Sequence, residues 1–161
     1  SHGKIDNDKV DVYAREALKP FENSSGENPY SVQRDLQEVM QQNVGIVRDE
    51  GEMRSALDHL KTFWERAARV GVTGNRDFNP GWHTALDLKN LLTVSEAITR
   101  AALERKESRG AQFREDCPEK DERFSKVNTL IRKGEGGGMD VLLEPLPEMP
   151  DYLKQIIEEM K

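Results

Sequence analysis

Cysteine and histidine are scarce in this sequence. Cys117 is the sole cysteine among 161 residues, so no disulfide can form within the chain, which fits a reducing cytosol. The three histidines, His2, His59 and His83, lack the close spacing of metal ligands, and one thiol cannot complete a zinc quartet with them. We therefore expect neither a disulfide framework nor a metal site.

The sequence also lacks an excess of positive charge and a long apolar run. Lys and Arg number 24 against 30 Asp and Glu, a net charge of −6, which argues against a nucleic-acid-binding module. No apolar run approaches the roughly 18 residues of a membrane span, and the start lacks the apolar region of a signal peptide. The first residues, Ser1-His2-Gly3, resemble the remnant of a purification tag, so we expect an excised piece of a longer protein.

Apolar residues recur at helical spacing in five segments, and the middle three predict an up-down three-helix bundle. The predicted helices cover residues 5–18, 31–44, 53–67, 84–108 and 150–160. Ser31 is a candidate N-cap, Pro20 ends the first helix, and Gly110 is the expected C′ residue of the fourth. The predicted organisation is a tag remnant, connecting helix and linker (1–29), a bundle domain (30–124) and a tail (125–161).

The tail combines alternating apolar residues with a run of glycine. Residues 124–132 and 139–144 alternate as strands do, and Gly134 to Gly138 lie between them. This run lacks the Lys-Ser/Thr of a phosphate-binding loop and the spacing of a dinucleotide fingerprint. We therefore predict a β-hairpin turn, followed by a proline-rich strap and a short helix.

No nucleophile and base stand out as a catalytic pair. His59 lies at the edge of an apolar helix face, His83 precedes a helix, and Cys117 precedes Pro118 in a charged segment. A self-sufficient enzyme that uses Cys117 with His83 is nevertheless one hypothesis, because a thiol and an imidazole can form a nucleophilic site. The aromatic residues are expected to fill the interior: Phe63 and Trp64 in the core, and Trp82 at one end of the bundle.

The segment from Arg105 to Pro118 concentrates charge around a predicted helix end. Its cations suit the negative end of a helix, which is the simplest interpretation of a solvated face. Alternatively, Arg109 beside Gly110 offers paired guanidinium donors to carboxylates or carbonyls of an adjoining body. Both interpretations are open from the spacing alone.

The same segment closely resembles a family signature. Residues 107–118, Glu-Ser-Arg-Gly-Ala-Gln-Phe-Arg-Glu-Asp-Cys-Pro, followed by Asp121, are similar to the E-S-R-G-A-H-x-R-x-D-x-P…D motif of succinate dehydrogenase and fumarate reductase flavoprotein subunits. Residues 36–48 and 101–106 resemble two further stretches of that family. The resemblance covers about residues 30–133, and the end of the chain resembles some bacterial members more weakly.

The resemblance implies a C-terminal three-helix domain, similar to a spectrin repeat, that packs on a flavin-binding domain. Family members interconvert succinate and fumarate through FAD and pass electrons to an iron–sulfur subunit attached to a membrane anchor. The flavin-binding and catalytic motifs belong to other domains, so we expect no catalytic, cofactor-binding or metal-binding residue here. The implied partners are the FAD and capping domains of the same chain and the iron–sulfur subunit, on the cytoplasmic side of a bacterial membrane.

The resemblance also implies a role for the charged segment. We expect Glu107, Arg109, Arg114 and Asp116 to form an ordered ion-pair cluster facing the FAD and capping domains, part of it exposed in this piece. Gln112 stands where the family usually has His, which puts a titrating role in doubt and favours a hydrogen-bonding one. The alternatives are the C-terminal domain of an L-aspartate oxidase and a free-standing helical interaction module.

Overall fold

A computed structural model describes residues 6–160, so Ser1-His2-Gly3, predicted as a tag remnant, lie outside the described residues. The prediction of a mainly helical fold with a small hairpin and a C-terminal helix is confirmed. The helices are α1 Asn7–Glu22, α2 Pro29–Asn43, α3 Glu50–Ala67, α4 Pro80–Glu104 and α5 Asp151–Glu159. The strands are β1 Val47–Arg48, β2 Phe113–Arg114, β3 Val127–Lys133 and β4 Met139–Pro145, with a 3-10 turn at Phe124–Lys126.

The helices α2, α3 and α4 pack against one another and enclose the core. Their apolar side chains at helical spacing form one continuous buried cluster. A smaller cluster fills the end of the bundle where α2 finishes and α3 begins. Each large apolar side chain buried in this way contributes about 1.5–3 kcal/mol to folding. The main cluster includes Val32, Leu36, Leu60, Phe63, Leu88 and Leu92, and the smaller one Val44, Met53, Ala56 and Ala102.

Two of the bundle helices begin at an Asn-Pro pair. The Asn28 side chain accepts a hydrogen bond at the start of α2, and the Asn79 side chain does the same at the start of α4. In each helix the following proline occupies the first turn, where its missing N–H costs nothing. The expected starts at Ser31 and at residue 84 are therefore wrong by a few residues.

Helix α1 continues through Pro20 to Glu22, so the expectation that Pro20 ends it is wrong. Pro20 is buried, and its carbonyl accepts a hydrogen bond from the backbone N–H of Val72 at 3.0 Å. These tertiary contacts offset the helical hydrogen bond that proline cannot make. Trp82 holds α1 as well, because its indole N–H donates to the carbonyl of Ala17 at 2.6 Å.

Helix α4 ends at Glu104, four residues earlier than predicted, and Arg105 is extended with φ −81° and ψ 91°. Gly110 is accordingly not the C′ residue of this helix. It adopts a positive φ of 60° further along, in the loop that follows. The reason for the early end lies in side chains that cap the last turn, as described below.

The predicted hairpin is present as the antiparallel pair β3–β4, in which Leu130 faces Leu142 across the two strands. Its turn contains Gly136 and Gly137, both with positive φ, as a tight hairpin connection requires. A second sheet, a short parallel pairing of β1 with β2, has no local signal in the sequence. That pairing brings Val47 beside Phe113.

Helix α5 agrees with its predicted position, but none of its residues is buried. Among the described helices, none combines the length and the apolar character that crossing a bilayer demands. The proposed divisions of the chain at 29/30 and 124/125 stay predictions.

Candidate functional site

Residues 105–121, here called the E-S-R-G loop, leave the end of α4 and fold back beside it. The backbone N–H of Ser108 donates to the carbonyl of Glu119, so the two limbs of the loop are tied together. The Ser108 hydroxyl accepts from the backbone N–H of Arg114 at 2.8 Å and donates to the carbonyl of Cys117 at 2.9 Å. One small polar side chain therefore fixes the centre of the loop.

Glu107 is fully buried and carries its charge into the interior of this loop. Its carboxylate accepts hydrogen bonds from the guanidinium Nε of Arg109 and of Arg105, each at 2.9 Å, and from the backbone N–H of Asp121 at 2.9 Å. The hydrogen bond from Arg109, together with those from Asp121 and Arg105, lowers the pKa of Glu107 to about 2, against the opposing effect of burial. Glu107 is thus ionised and locks the start of the loop to its end.

Arg114 is the second fully buried charge, and it caps α4 from outside the helix. Its Nη1 donates to the carbonyls of Ala102 and Leu103, at 3.1 and 3.2 Å, which are acceptors left free by the end of the helix. The other side of the guanidinium binds both carboxylate oxygens of Asp116, at 2.7 and 2.5 Å. The hydrogen bond from Arg114 lowers the pKa of Asp116. This two-point ion pair neutralises the buried guanidinium of Arg114 next to the end of α4.

Gln112 connects the end of α2 with the end of α4. Its amide nitrogen donates to the carbonyl of Arg105 at 2.8 Å, and its amide oxygen accepts from Nη1 of Arg48 at 3.2 Å. Arg48 in turn donates to the carbonyl of Gly45 at 2.7 Å, close to the end of α2. The neutral amide supplies the donor that the Arg105 carbonyl needs and the acceptor that the Arg48 guanidinium needs. The geometry gives this position a hydrogen-bonding role that glutamine can perform without titrating.

The four residues expected to form an ion-pair cluster make two separate pairs. Glu107 binds Arg109, whereas Arg114 binds Asp116. The side chains of Glu107 and Arg114 are wholly enclosed by their own chain. Arg109 and Asp116 keep 31% and 25% of their side-chain surface accessible. A docking role for these four residues stays a prediction.

Two participants in this site were not identified from the sequence. Arg105 and Arg48 were assigned no contact, although Arg48 closes a stretch that resembles the family. Phe113 of the E-S-R-G loop and Val47 are both exposed, and the pairing of β1 with β2 places them side by side. Because β1 and β2 are short and far apart in sequence, no local pattern indicates this pairing.

The hypothesis of a Cys117–His83 enzyme is not supported by the fold. His83 lies in the first turn of α4, where its ring is 5.9 Å from that of Trp82. Cys117 lies in the loop beyond the opposite end of the same helix, and about 20 helical residues span roughly 30 Å. A thiol and a base must be within hydrogen-bonding reach to cooperate, so these two cannot form one site.

The glycine-rich segment is not built as a phosphate-binding loop, and no metal-binding cluster is found among the described side chains. The glycine-rich segment 134–138 turns directly from β3 into β4, with no helix whose N-terminus could receive a phosphate. Among residues 6–160, no three His, Cys, Asp or Glu side chains approach closely enough to hold a metal ion. The site is built from ion pairs and helix caps.

Known proteins with this architecture combine a bundle of this kind with a longer chain. A structure of the Mycobacterium smegmatis Sdh1 complex in the apo form contains a chain that is similar over 98% of this chain, at 37% identity and a TM-score of 0.87. The matched part makes up 28% of that chain. The fold therefore places this chain in the class of helical domains that form part of a longer chain in such a complex.

The sequence comparisons identify the family. The family model described as "Fumarate reductase flavoprotein C-term" matches residues 33–151, and the chain belongs to this family. The succinate dehydrogenase flavoprotein subunit of Coxiella burnetii is 35% identical over 147 residues, 89% of this chain. The fumarate reductase flavoprotein subunit of Haemophilus influenzae is 33% identical over 144 residues, 88% of this chain. The chain spans about a quarter of the length of these relatives, 25% and 24% respectively.

Proposed function

We propose that this chain is the C-terminal domain of a flavoprotein subunit that interconverts succinate and fumarate. The observation that carries the proposal is the match of residues 33–151 to the family, together with relatives named as fumarate reductase and succinate dehydrogenase flavoprotein subunits. In this proposal FAD binds elsewhere in the same polypeptide. No step of the flavin chemistry is assigned to residues of this chain.

The wider assembly is part of the same proposal. The flavoprotein subunit passes electrons to an iron–sulfur subunit, and further subunits hold the complex at the cytoplasmic side of a membrane. A solved structure that resembles this chain is that of a complex, which supports partner subunits. The acidic balance of the chain, −6, gives it a solvated surface away from its contacts.

The domain's own task is to support the flavin-binding part of the polypeptide, and the E-S-R-G loop is the surface proposed to face it. Glu107, Arg109, Arg114 and Asp116 hold the loop rigid, because their hydrogen bonds close it onto the end of α4. The exposed edges of Arg109 and Asp116 provide charged groups at this surface. Phe113, half-exposed in the same loop, provides an apolar one.

The first test compares the full-length polypeptide with this 161-residue chain. We expect the full-length polypeptide to purify with bound flavin and to oxidise succinate with an artificial electron acceptor, and this chain alone to do neither. Flavin absorbance and acceptor reduction measure the two properties. Succinate oxidation by this chain alone contradicts the proposal, and so does a source gene that encodes no FAD-binding domain in the same reading frame.

The second test examines the docking surface with a pair of matched substitutions in the full-length polypeptide. Phe113→Asp places a charge on the E-S-R-G loop, whereas Phe78→Asp places one on a fully exposed phenylalanine between α3 and α4. We expect Phe113→Asp to reduce flavin retention and Phe78→Asp to leave it unchanged. Equal flavin retention in the two variants contradicts docking through this loop. Thermal unfolding of the two variants of the 161-residue chain shows whether the domain itself is intact.

A further inference from the structure

Helix α5 presents an apolar stripe that nothing in the described chain covers. Leu153, Ile156, Ile157 and Met160 recur at the spacing of one helix face, and between 38% and 82% of their surface is exposed. The opposite face carries charged and amide side chains, including Lys154, Gln155 and Glu158. The four apolar residues are called the C-terminal stripe below.

The rest of the chain does little to hold this helix. No residue of α5 is buried, and α5 packs extensively on no other helix or strand among residues 6–160. A helix of nine residues is marginal in water by itself, because the cost of nucleation is spread over few hydrogen bonds. Its apolar face therefore needs a surface that the described residues do not supply.

We infer that the C-terminal stripe packs on the preceding, flavin-binding part of its own polypeptide, an inference that rests on the proposed function. A stable interface between separate molecules uses about 20–30 residues from each side. The stripe offers four side chains, too few to hold a second molecule from dilute solution. Within one polypeptide the effective concentration reaches the millimolar range, so a small contact suffices.

Two further observations favour this occupant over a second copy of the chain. Every copy carries the same net charge of −6, so two copies repel each other. The match with the Sdh1 chain covers 98% of this chain, so α5 has a counterpart there. The matched part makes up only 28% of the Sdh1 chain. The helix therefore occurs in a chain that has ample additional surface to cover it.

Hydrogen exchange measured by mass spectrometry tests the inference. The two samples are the 161-residue chain and the flavin-containing full-length polypeptide, both without other subunits. We expect the amides of residues 151–160 to exchange at least about tenfold more slowly in the full-length polypeptide than in the 161-residue chain. The amides of α3 serve as an internal reference that is protected in both.

A matched pair of variants shows whether the stripe itself makes the contact. Ile156→Glu and Gln155→Glu each add one negative charge to α5, on the apolar and on the polar face respectively. In the full-length polypeptide we expect Ile156→Glu to abolish the protection and Gln155→Glu to keep it.

Four results overturn the inference. The first is fast exchange of α5 in the flavin-containing full-length polypeptide, and the second is an equal effect of the two variants. The third is protection that grows with protein concentration, which indicates a second copy. The fourth is protection that appears only when another subunit is added. A full-length polypeptide without flavin contradicts the proposed function and this inference together. A flavin-containing polypeptide with an unprotected α5 contradicts this inference alone.

Discussion

At the scale of single residues, the buried ion pairs and the surface ion pairs contribute differently to the free energy of unfolding. The pair between Lys61 and Asp58 leaves 74% of each side chain exposed, and such pairs contribute about 0–1 kcal/mol. Glu107, by contrast, has no exposed surface and accepts hydrogen bonds from three donors. Removal of one member of a buried pair leaves its partners without an acceptor, so the loss is larger than the gain from the pair itself.

Replacing Glu107 with alanine is expected to lower the free energy of unfolding of the 161-residue chain by about 3–5 kcal/mol. The reason is that Arg105 and Arg109 lose the carboxylate that neutralises them at the end of α4. Urea denaturation followed by circular dichroism measures the change. Asp58→Ala removes an exposed carboxylate and serves as the control, with an expected change below about 1 kcal/mol. A Glu107→Ala variant as stable as this control contradicts the structural role of the buried carboxylate.

The lowered pKa of Glu107 makes part of the stability depend on pH. Because the pKa falls from 4.5 to about 2 on folding, the folded state releases this proton more readily than the unfolded state. The resulting stabilisation is present above about pH 4.5 and is lost as the pH falls towards 2, by about 3 kcal/mol in total. Urea denaturation between pH 5 and 2 measures it against Glu107→Gln, which cannot titrate there. Parallel pH profiles of the two proteins contradict the prediction.

At the scale of elements, the end of α4 is set by side chains that come from a later part of the chain. The last apolar residue of the pattern is Leu103, but the charged residues that follow it are good helix formers, so the sequence predicts a helix that runs on to residue 108. Arg114 and Gln112 bind carbonyls in and just after the last turn and so replace the hydrogen bonds of a further turn. Helix starts behave differently, since both Asn-Pro pairs are local sequence signals that lie just before the expected starts at Ser31 and residue 84.

The connection between α1 and α2 crosses the segment after α3 at close range, and a glycine makes this possible. A Cβ atom added to Gly71 lies 1.6 Å from the carbonyl oxygen of Asn23, which belongs to the backbone and cannot rotate away. The backbone N–H of Gly71 also donates to the carbonyl of Glu27 at 3.0 Å. This crossing fixes α1 against the bundle.

Gly71→Ala is therefore expected to destabilise the chain by about 1–3 kcal/mol, because the backbone must move to admit the methyl group. Gly138→Ala is the matched control: a Cβ there meets nothing within 4 Å, and the expected change is within about 0.5 kcal/mol. Thermal and urea unfolding compare the two variants. Equal stability of the two variants contradicts the close crossing.

At the scale of the whole molecule, the chain has a closed part and an open part. The bundle of α2, α3 and α4 buries most of its apolar residues, although Val94 and Ile98 of α4 are exposed, and the E-S-R-G loop closes one of its ends. The hairpin and α5 keep large apolar side chains exposed, among them Leu130 and Leu142 on neighbouring strands. The closed part explains how the domain folds, and the open part is the surface left for a neighbour.

Removal of residues 150–161 is expected to change the free energy of unfolding of this chain by less than about 0.5 kcal/mol, because α5 buries none of its residues. Urea denaturation of the truncated and the complete 161-residue chain checks this. Removal of residues 125–161 is the comparison, since the hairpin contacts α4 and its loss is expected to cost more. A large loss on removal of α5 alone shows that the helix packs within this chain after all.

The sequence by itself determined the helical bundle, the hairpin and the family, because apolar spacing, alternation and a dense motif are local properties of the chain. It also indicated the four charged residues of the E-S-R-G loop, though not the contacts that Arg105 and Arg48 make there. Only the tertiary structure decided that Glu107 and Arg114 are buried, that α4 stops at Glu104 and that β1 pairs with β2. Each of these depends on contacts between residues far apart in sequence, and no pattern along the chain records such contacts.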